Sequence, residues 1–414
     1  MAKHRSDAEQ QVAELLLNAK DSLRLSVAFL TRMDGTTQHL EVVESSVPFL
    51  FKEGATQNQA TSLCQAINDG KLPAVIPDLR KFPEAMKLPA AKLPHIRSYV
   101  SVPVVLSDGT MYGTFCAAGL TTDKELSKRD KSLMQVLASA ASVIIEPGIR
   151  ERVRRTEIES RLLPVIADGG PRIVLQPIVD LATGLRIGAE ALSRFPAEWG
   201  KAPDVCFGEA HSVGLGDRLE LLALLGAAEQ LAEVTGYVAM NVSPATLLTA
   251  ECTRLLAAMP LDRVLLELSE HDQVADYAAL AAVLEPLRAA GMRLAIDDVG
   301  AGFSSLRHIV VTSPDVIKID RTIVDGVSHD SVLETLVSSL VFFGHGCKAT
   351  VVAEGVETAA DAAKLLELGV DYGQGWYFGR PGDAADMSTV HTAGSLPDQR
   401  AATGNVRGLR PPVG

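Results

Sequence analysis

Between Ile173 and Phe195 the chain reads IVLQPIVDLATGLRIGAEALSRF. Two apolar runs of strand length stand here, IVLQPIVDL and IGAEALSRF. Six more follow, with helical patterns between them: YVAMNVS (237–243), VLLELSE (264–270), RLAIDDVG (293–300), VIKID (316–320), TVVAEGVE (350–357) and YGQGWYFG (372–379). Strands alternating with helices predict a parallel α/β arrangement, and eight of them predict closure into a (β/α)8 TIM-like barrel.

Where the polar residues fall carries the functional signal. Seven of the eight runs pass from apolar residues to a chemically capable group near the C-terminal end: Glu190, Asn241, Glu267, the pair Asp297-Asp298, then Lys318 and Asp320, Glu354 and Glu357, and Gln374. In a parallel barrel these ends converge on the face that holds active sites. A single acid there is ordinarily a cap or a loop ion pair. Five or more acids and an amide on successive strands require a common cause.

Hard divalent cations supply one, because Mg²⁺ and Mn²⁺ take oxygen ligands and leave room for water and phosphate. Adjacent Asp297 and Asp298 suit two cations about 3.5–4 Å apart, the spacing of two-metal phosphoryl-transfer sites. None of the nine histidines belongs to this set, which disfavours a zinc hydrolase.

These residues also carry a resemblance. AEALSRF, around Glu190-Ala191-Leu192, resembles the signature of the EAL-domain cyclic di-GMP phosphodiesterases. QPIVD, NVS, ELSE, DDVGAGFSSL, KID, EGVE and QGWYFGRP resemble the rest of that pattern, in order, over about half the chain. The resemblance implies hydrolysis of cyclic di-GMP to linear pGpG with two Mg²⁺ or Mn²⁺ ions per site. It implies that Glu190, Asn241, Glu267 and Asp297 hold one ion, with Asp297 bridging to a second that Asp298 and Glu354 attend. Lys318 would orient or activate the attacking water, with Glu354 as the alternative base. Gln176, Arg194, Glu357 and Gln374 would contact substrate, and Glu270 would anchor the loop Asp297–Leu306. Val299 stands where the family usually has Phe, so altered loop packing is expected with the metal set complete. A catalytically weak or silent cyclic di-GMP receptor is the alternative function. A homodimer is implied by the same resemblance.

The first part of the chain reads as mixed α and β. Asp7–Asn18 has helical spacing; Leu25–Thr31 and Gln38–Glu44 flank a turn at Asp34-Gly35, and Tyr99–Leu106 and Met111–Ala118 flank Asp108-Gly109. A closing helix capped by Ser127 is expected to run through Ile145 and stop at Pro147-Gly148. Two hairpins bracketed by helices predict an antiparallel sheet covered on one face. SLCQAINDGKLPAVIPDL (Ser62–Leu79) and YGTFCAAG (Tyr112–Gly119) resemble a GAF domain, whose ligand here is unknown or none. Cys64 and Cys116 invite a redox or chromophore reading, and His39 and His95 a haem reading; the plainer expectation is small core residues and ordinary strand or surface histidines.

The expected organisation is therefore a GAF-like sensory domain (1–148), a helical linker (149–170), the EAL barrel (171–394) and an aperiodic, disordered tail (395–414). A net charge of −12 argues against a nucleic-acid polymer or a membrane surface as partner. Five scattered cysteines without a C-x-x-C pair, and an N-terminus without an apolar core, suit a reducing cytoplasm.

Overall fold

The computed structural model describes residues 5–47, 51–89, 96–269, 274–300 and 305–385. The expected tail, His95 and Glu270 lie outside them. The chain divides into two compact units, residues 1–156 and 157–414.

In the first unit six strands form one sheet: β1 Val27–Met33, β2 Thr37–Ser45, β3 Thr56–Asn58, β4 Val75–Ile76, β5 Ser98–Val105 and β6 Met111–Gly119, in the order β3-β2-β1-β6-β5-β4, all antiparallel. Strand alternation sends Val100, Val102, Val104, Phe115 and Ala117 to one face, under helix Asp7–Ser22 and helix Lys128–Ala167. The opposite face was expected to lie open. It is buried too: Phe29, Tyr99, Cys116 and Ala118 pack under Leu63, Cys64, Ile67, Leu72 and Leu79 from the short helices and turns between β3 and β5. Those connecting segments carry too few consecutive apolar residues to register as periodic helices, so their covering role is not visible in the sequence.

The closing helix does not stop at Pro147-Gly148 but continues to Ala167. Proline removes one backbone donor. Glu146 and Arg150 pair at 2.6 Å across the Pro-Gly step, and Glu146 also accepts from Ser107 Oγ. This i,i+4 pair and the Arg/Glu-rich turns that follow favour continuation. Part of the helix has the length and mean hydropathy (1.4) of a membrane span. Its Met134, Ala138 and Ala141 are buried in the sheet's core, while 22% of that apolar stretch is buried in all.

The second unit is a closed eight-stranded barrel. Its strands are β7 Arg172–Asp180, β8 Arg186–Arg194, β9 Tyr237–Asn241, β10 Val264–Ser269, β11 Arg293–Val299, β12 Val316–Ile319, β13 Thr350–Ala353 and β14 Tyr372–Gln374. All eight predicted strands are present, but the barrel is not wholly parallel: β7 is antiparallel to both β8 and β14. The cause is the connection. Only Leu181–Leu185 separates β7 from β8, too few residues for a crossover. Asp180 Oδ1 accepts from Thr183 N, and Gly184 takes a positive φ of 70°, closing a hairpin instead.

Outward-facing residues such as Leu266, Leu294, Ile296 and Ile317 join a core with the surrounding helices. Inside, Ile178, Ala239, Leu265, Ala295, Val316 and Val352 form an apolar layer. The residue two positions towards the mouth from each is Gln176, Asn241, Glu267, Asp297, Lys318 or Glu354. The period of two thus places the chemistry directly above an apolar floor.

Candidate active site

Lys318 is the centre of the upper layer, and its side chain is 1% exposed. Its Nζ lies 2.6 Å from Glu354 Oε1, 3.0 Å from Glu267 Oε1, 3.1 Å from Asp297 Oδ1 and 3.6 Å from Glu190 Oε2. Four carboxyl groups around one ammonium would, fully ionised, leave an excess of three negative charges in a desolvated space. Burial disfavours the charge on Lys318, but the surrounding acids outweigh it and hold the amine well above its ordinary range. Burial pushes the carboxyls of Glu267 and Glu354 well above theirs, and neighbouring acids add to the rise. Asp297 moves up from the same causes. Burial also opposes the Glu190 carboxylate; there Lys318, Gln374 and Asn241 outweigh it and hold it below the usual value.

The amides orient Glu190. Asn241 Nδ2 donates to its Oε1 at 2.9 Å, and Gln374 Nε2 donates to its Oε2 at 2.6 Å. Gln176 pairs with Glu190 in the β7–β8 register and accepts from Gln374 at 3.2 Å. Gln374 was expected to contact substrate. It is 4% exposed, lines the same hollow as Glu357, and its amino group donates to Glu190 and Gln176.

Adjacent strand residues face opposite sides, so Asp297 and Asp298 cannot both reach the mouth on a regular strand. The β11–β12 register shifts between Ile296 and Val299, and Asp298 adopts a left-handed backbone with φ 58°. That bulge turns the second acid toward the first, and Asp298 N donates to Asp297 Oδ1 at 3.0 Å. Val299 is fully buried in the barrel wall, in register with Ile319.

The donor set fits divalent cations. Ligand atoms of Glu190, Glu267 and Asp297 lie within 4.8 Å of one another, and so do those of Asp297, Asp298 and Glu354. Asp297 belongs to both groups. Both carboxylate oxygens of Glu267 are buried without a hydrogen-bond donor, and Lys318 Nζ, though at ion-pair distance from four acids, has the alignment of a hydrogen bond with none. Buried oxygens left in this state are costly, and a cation would satisfy them.

Two hollows of about 350 and 300 Å³ meet at Asp297. Arg194 lines the first, half-buried, with one Nη1 donated to Ser193 O. Glu357 lines the second and is paired at 2.7 Å with Arg321. Arg321 and the half-exposed Trp376 were not anticipated; the guanidinium stands 5.9 Å from the indole centre. The third unanticipated residue is Glu220, buried behind β9, which accepts from Ser243 N and Oγ at 2.9 Å and contacts His211 at 2.6 Å. It sits mid-helix, where a glutamate reads as solvent-facing. Asp320, by contrast, caps helix Arg321–Val324 by accepting from Thr322 N. Histidine 39 pairs with Asp34 across the first hairpin.

The model of the EAL domain matches residues 160–381, more than half of the sequence. The chain belongs to the EAL domain family. The GAF domain model matches residues 6–146, so the antiparallel unit is a GAF domain. The chain is similar to the probable cyclic di-GMP phosphodiesterase PdeB of Escherichia coli, 31% identical over half of this chain and 41% of that protein. It is 27% identical to the cyclic di-GMP phosphodiesterase PdeF of the same organism, over 56% of this chain and 32% of that one. It thus spans less than half the length of these relatives. Among solved structures, the PaMucR phosphodiesterase in complex with c-di-GMP superposes with a TM-score of 0.50 at 28% identity, covering 56% of this chain and 99% of that one.

Proposed function

We propose that this EAL domain hydrolyses cyclic di-GMP to linear pGpG. The observation that carries the reading is the pair of three-acid groups sharing Asp297 at the mouth of the barrel, beside the half-buried Arg194. Glu190, Asn241, Glu267 and Asp297 would hold one Mg²⁺ or Mn²⁺ ion, and Asp297, Asp298 and Glu354 a second. Such a pair of ions neutralises the phosphodiester and makes water a competent nucleophile.

The chain's own groups then have distinct work. Arg194 forks a phosphate oxygen and fixes which ester faces the acids. Lys318 offsets part of the acids' charge and orients the water; Glu354, beside it, is placed to take the proton. Water oxygen bonds to phosphorus as the bond to the 3′ oxygen breaks, and that oxygen takes a proton from solvent water to leave as a hydroxyl, balancing the proton that Glu354 takes. Glu357 and Gln176 border the second hollow, where the far nucleotide would lie.

The reading extends to a homodimer in the cytoplasm whose EAL activity the GAF domain regulates. Helix Lys128–Ala167 supports the dimer, since Val136 and Val143, seven residues apart, are 67% and 72% exposed. The test is incubation of purified protein with cyclic di-GMP and Mg²⁺ or Mn²⁺, followed by chromatography. Linear pGpG that disappears with chelator is expected. Tight binding without product would instead make the protein a receptor.

A further inference from the structure

Cys64, on helix Leu63–Asn68, and Cys116, on β6, bring their sulfur atoms to 3.4 Å in the core of the GAF domain. Both side chains are buried. A disulfide is about 2.05 Å long, so bonding needs an approach of a little over one ångström.

Buried free cysteines ordinarily act as small apolar residues. This pair has polar company. Tyr99 OH is 3.0 Å from Cys64 Sγ, and Ser101 Oγ and Thr114 Oγ1 are 3.2 and 3.1 Å from Cys116 Sγ. The hydrogen bonds continue from Thr114 to Thr31, to Gln38 and to Gln57. Both ends of this chain, Tyr99 and Gln57, line a cavity of about 130 Å³, which has room for water-sized solutes. Burial pushes the Cys64 thiol up, but contacts from Cys116, Thr114, Tyr99 and Gln38 reverse this and bring it to about 6. Neither cysteine joins a cluster of three possible metal ligands among the described residues.

We propose that Cys64 and Cys116 are an oxidisable dithiol that closes to a disulfide when a hydroperoxide enters the GAF core. The Cys64 sulfur attacks a peroxide oxygen and the O–O bond breaks, leaving a sulfenic acid and, for hydrogen peroxide, water. Cys116 then attacks the Cys64 sulfur, the S–O bond breaks and a second water leaves. The two thiol protons depart in those waters; the thiols lose two electrons and the peroxide gains them.

Full-length Cys347→Ser protein, which lacks the exposed thiol, is treated natively with hydrogen peroxide, quenched, denatured, alkylated and mapped without reduction. A dithiothreitol-sensitive cross-linked peptide joining Cys64 and Cys116 is expected, with loss of both alkylatable thiols. In a Cys116→Ser background, dimedone should label Cys64. If both cysteines stay fully alkylatable after peroxide, or oxidise without joining each other, the proposal is overturned. Should Cys116→Ser fail to fold, the map of Cys347→Ser protein alone decides. The readout is independent of cyclic di-GMP hydrolysis.

Discussion

Lys318 Nζ lies 3.0 Å from Glu267 Oε1 in the barrel interior, and Glu267 has no hydrogen-bond donor for either oxygen. The lysine is the built-in counterion of an acid cluster that one positive charge cannot neutralise. Lys318→Met should therefore destabilise the metal-free protein by about 3–5 kcal/mol, the range for breaking a buried ion pair. Thermal melts with chelator and with added Mg²⁺ check this. The defect should shrink when cation is present, and an equal loss in both conditions would contradict the counterion role.

Asp297 belongs to both three-acid groups, whereas Asp298 belongs to one. Asp297→Asn should abolish pGpG formation to the detection limit, while Asp298→Asn should leave binding of one cation. Isothermal titration with Mn²⁺ reads the stoichiometry, and chromatography reads turnover. Equal stoichiometry in the two variants would remove Asp297 from its shared position.

Glu220 holds Ser243, two residues beyond Asn241, through both its backbone N–H and its hydroxyl. Glu220→Ala should weaken Mn²⁺ affinity about 10–100-fold, as loss of an orienting partner behind a ligand does. Glu220→Gln, which keeps an acceptor, should recover part of it. A fall in melting temperature with unchanged metal affinity would make Glu220 structural only.

Gly300 has φ 107°, and a Cβ there would stand 2.1 Å from Ile323 Cδ1. Gly300→Ala should cost about 1–3 kcal/mol from backbone strain, before the clash is counted. Urea denaturation measures it. A neutral result would mean that Asp298–Gly300 rearranges freely.

Val299→Phe would install the family's usual residue in a fully buried position of the wall. Overpacking predicts a loss of about 1–3 kcal/mol. A stabilised variant with faster turnover would return Val299 to the loop role that its sequence position suggests.

The sequence by itself determined the strands, their polar residues and the family. Each strand is short, apolar and bounded, and most of the groups that end those runs meet inside the barrel, Asp320 and Glu357 excepted. Period-two alternation is local, so it survives in a one-dimensional string. Three matters needed the tertiary structure. The reversed β7 depends on how a five-residue connection closes. The joint reach of Asp297 and Asp298 depends on a register shift against β12. The engagement of Gln374 by Glu190, and of Cys64 by Cys116, depends on contacts between residues far apart in sequence. Alternation along a strand fixes which side a residue faces. Only the packed fold fixes what it meets there.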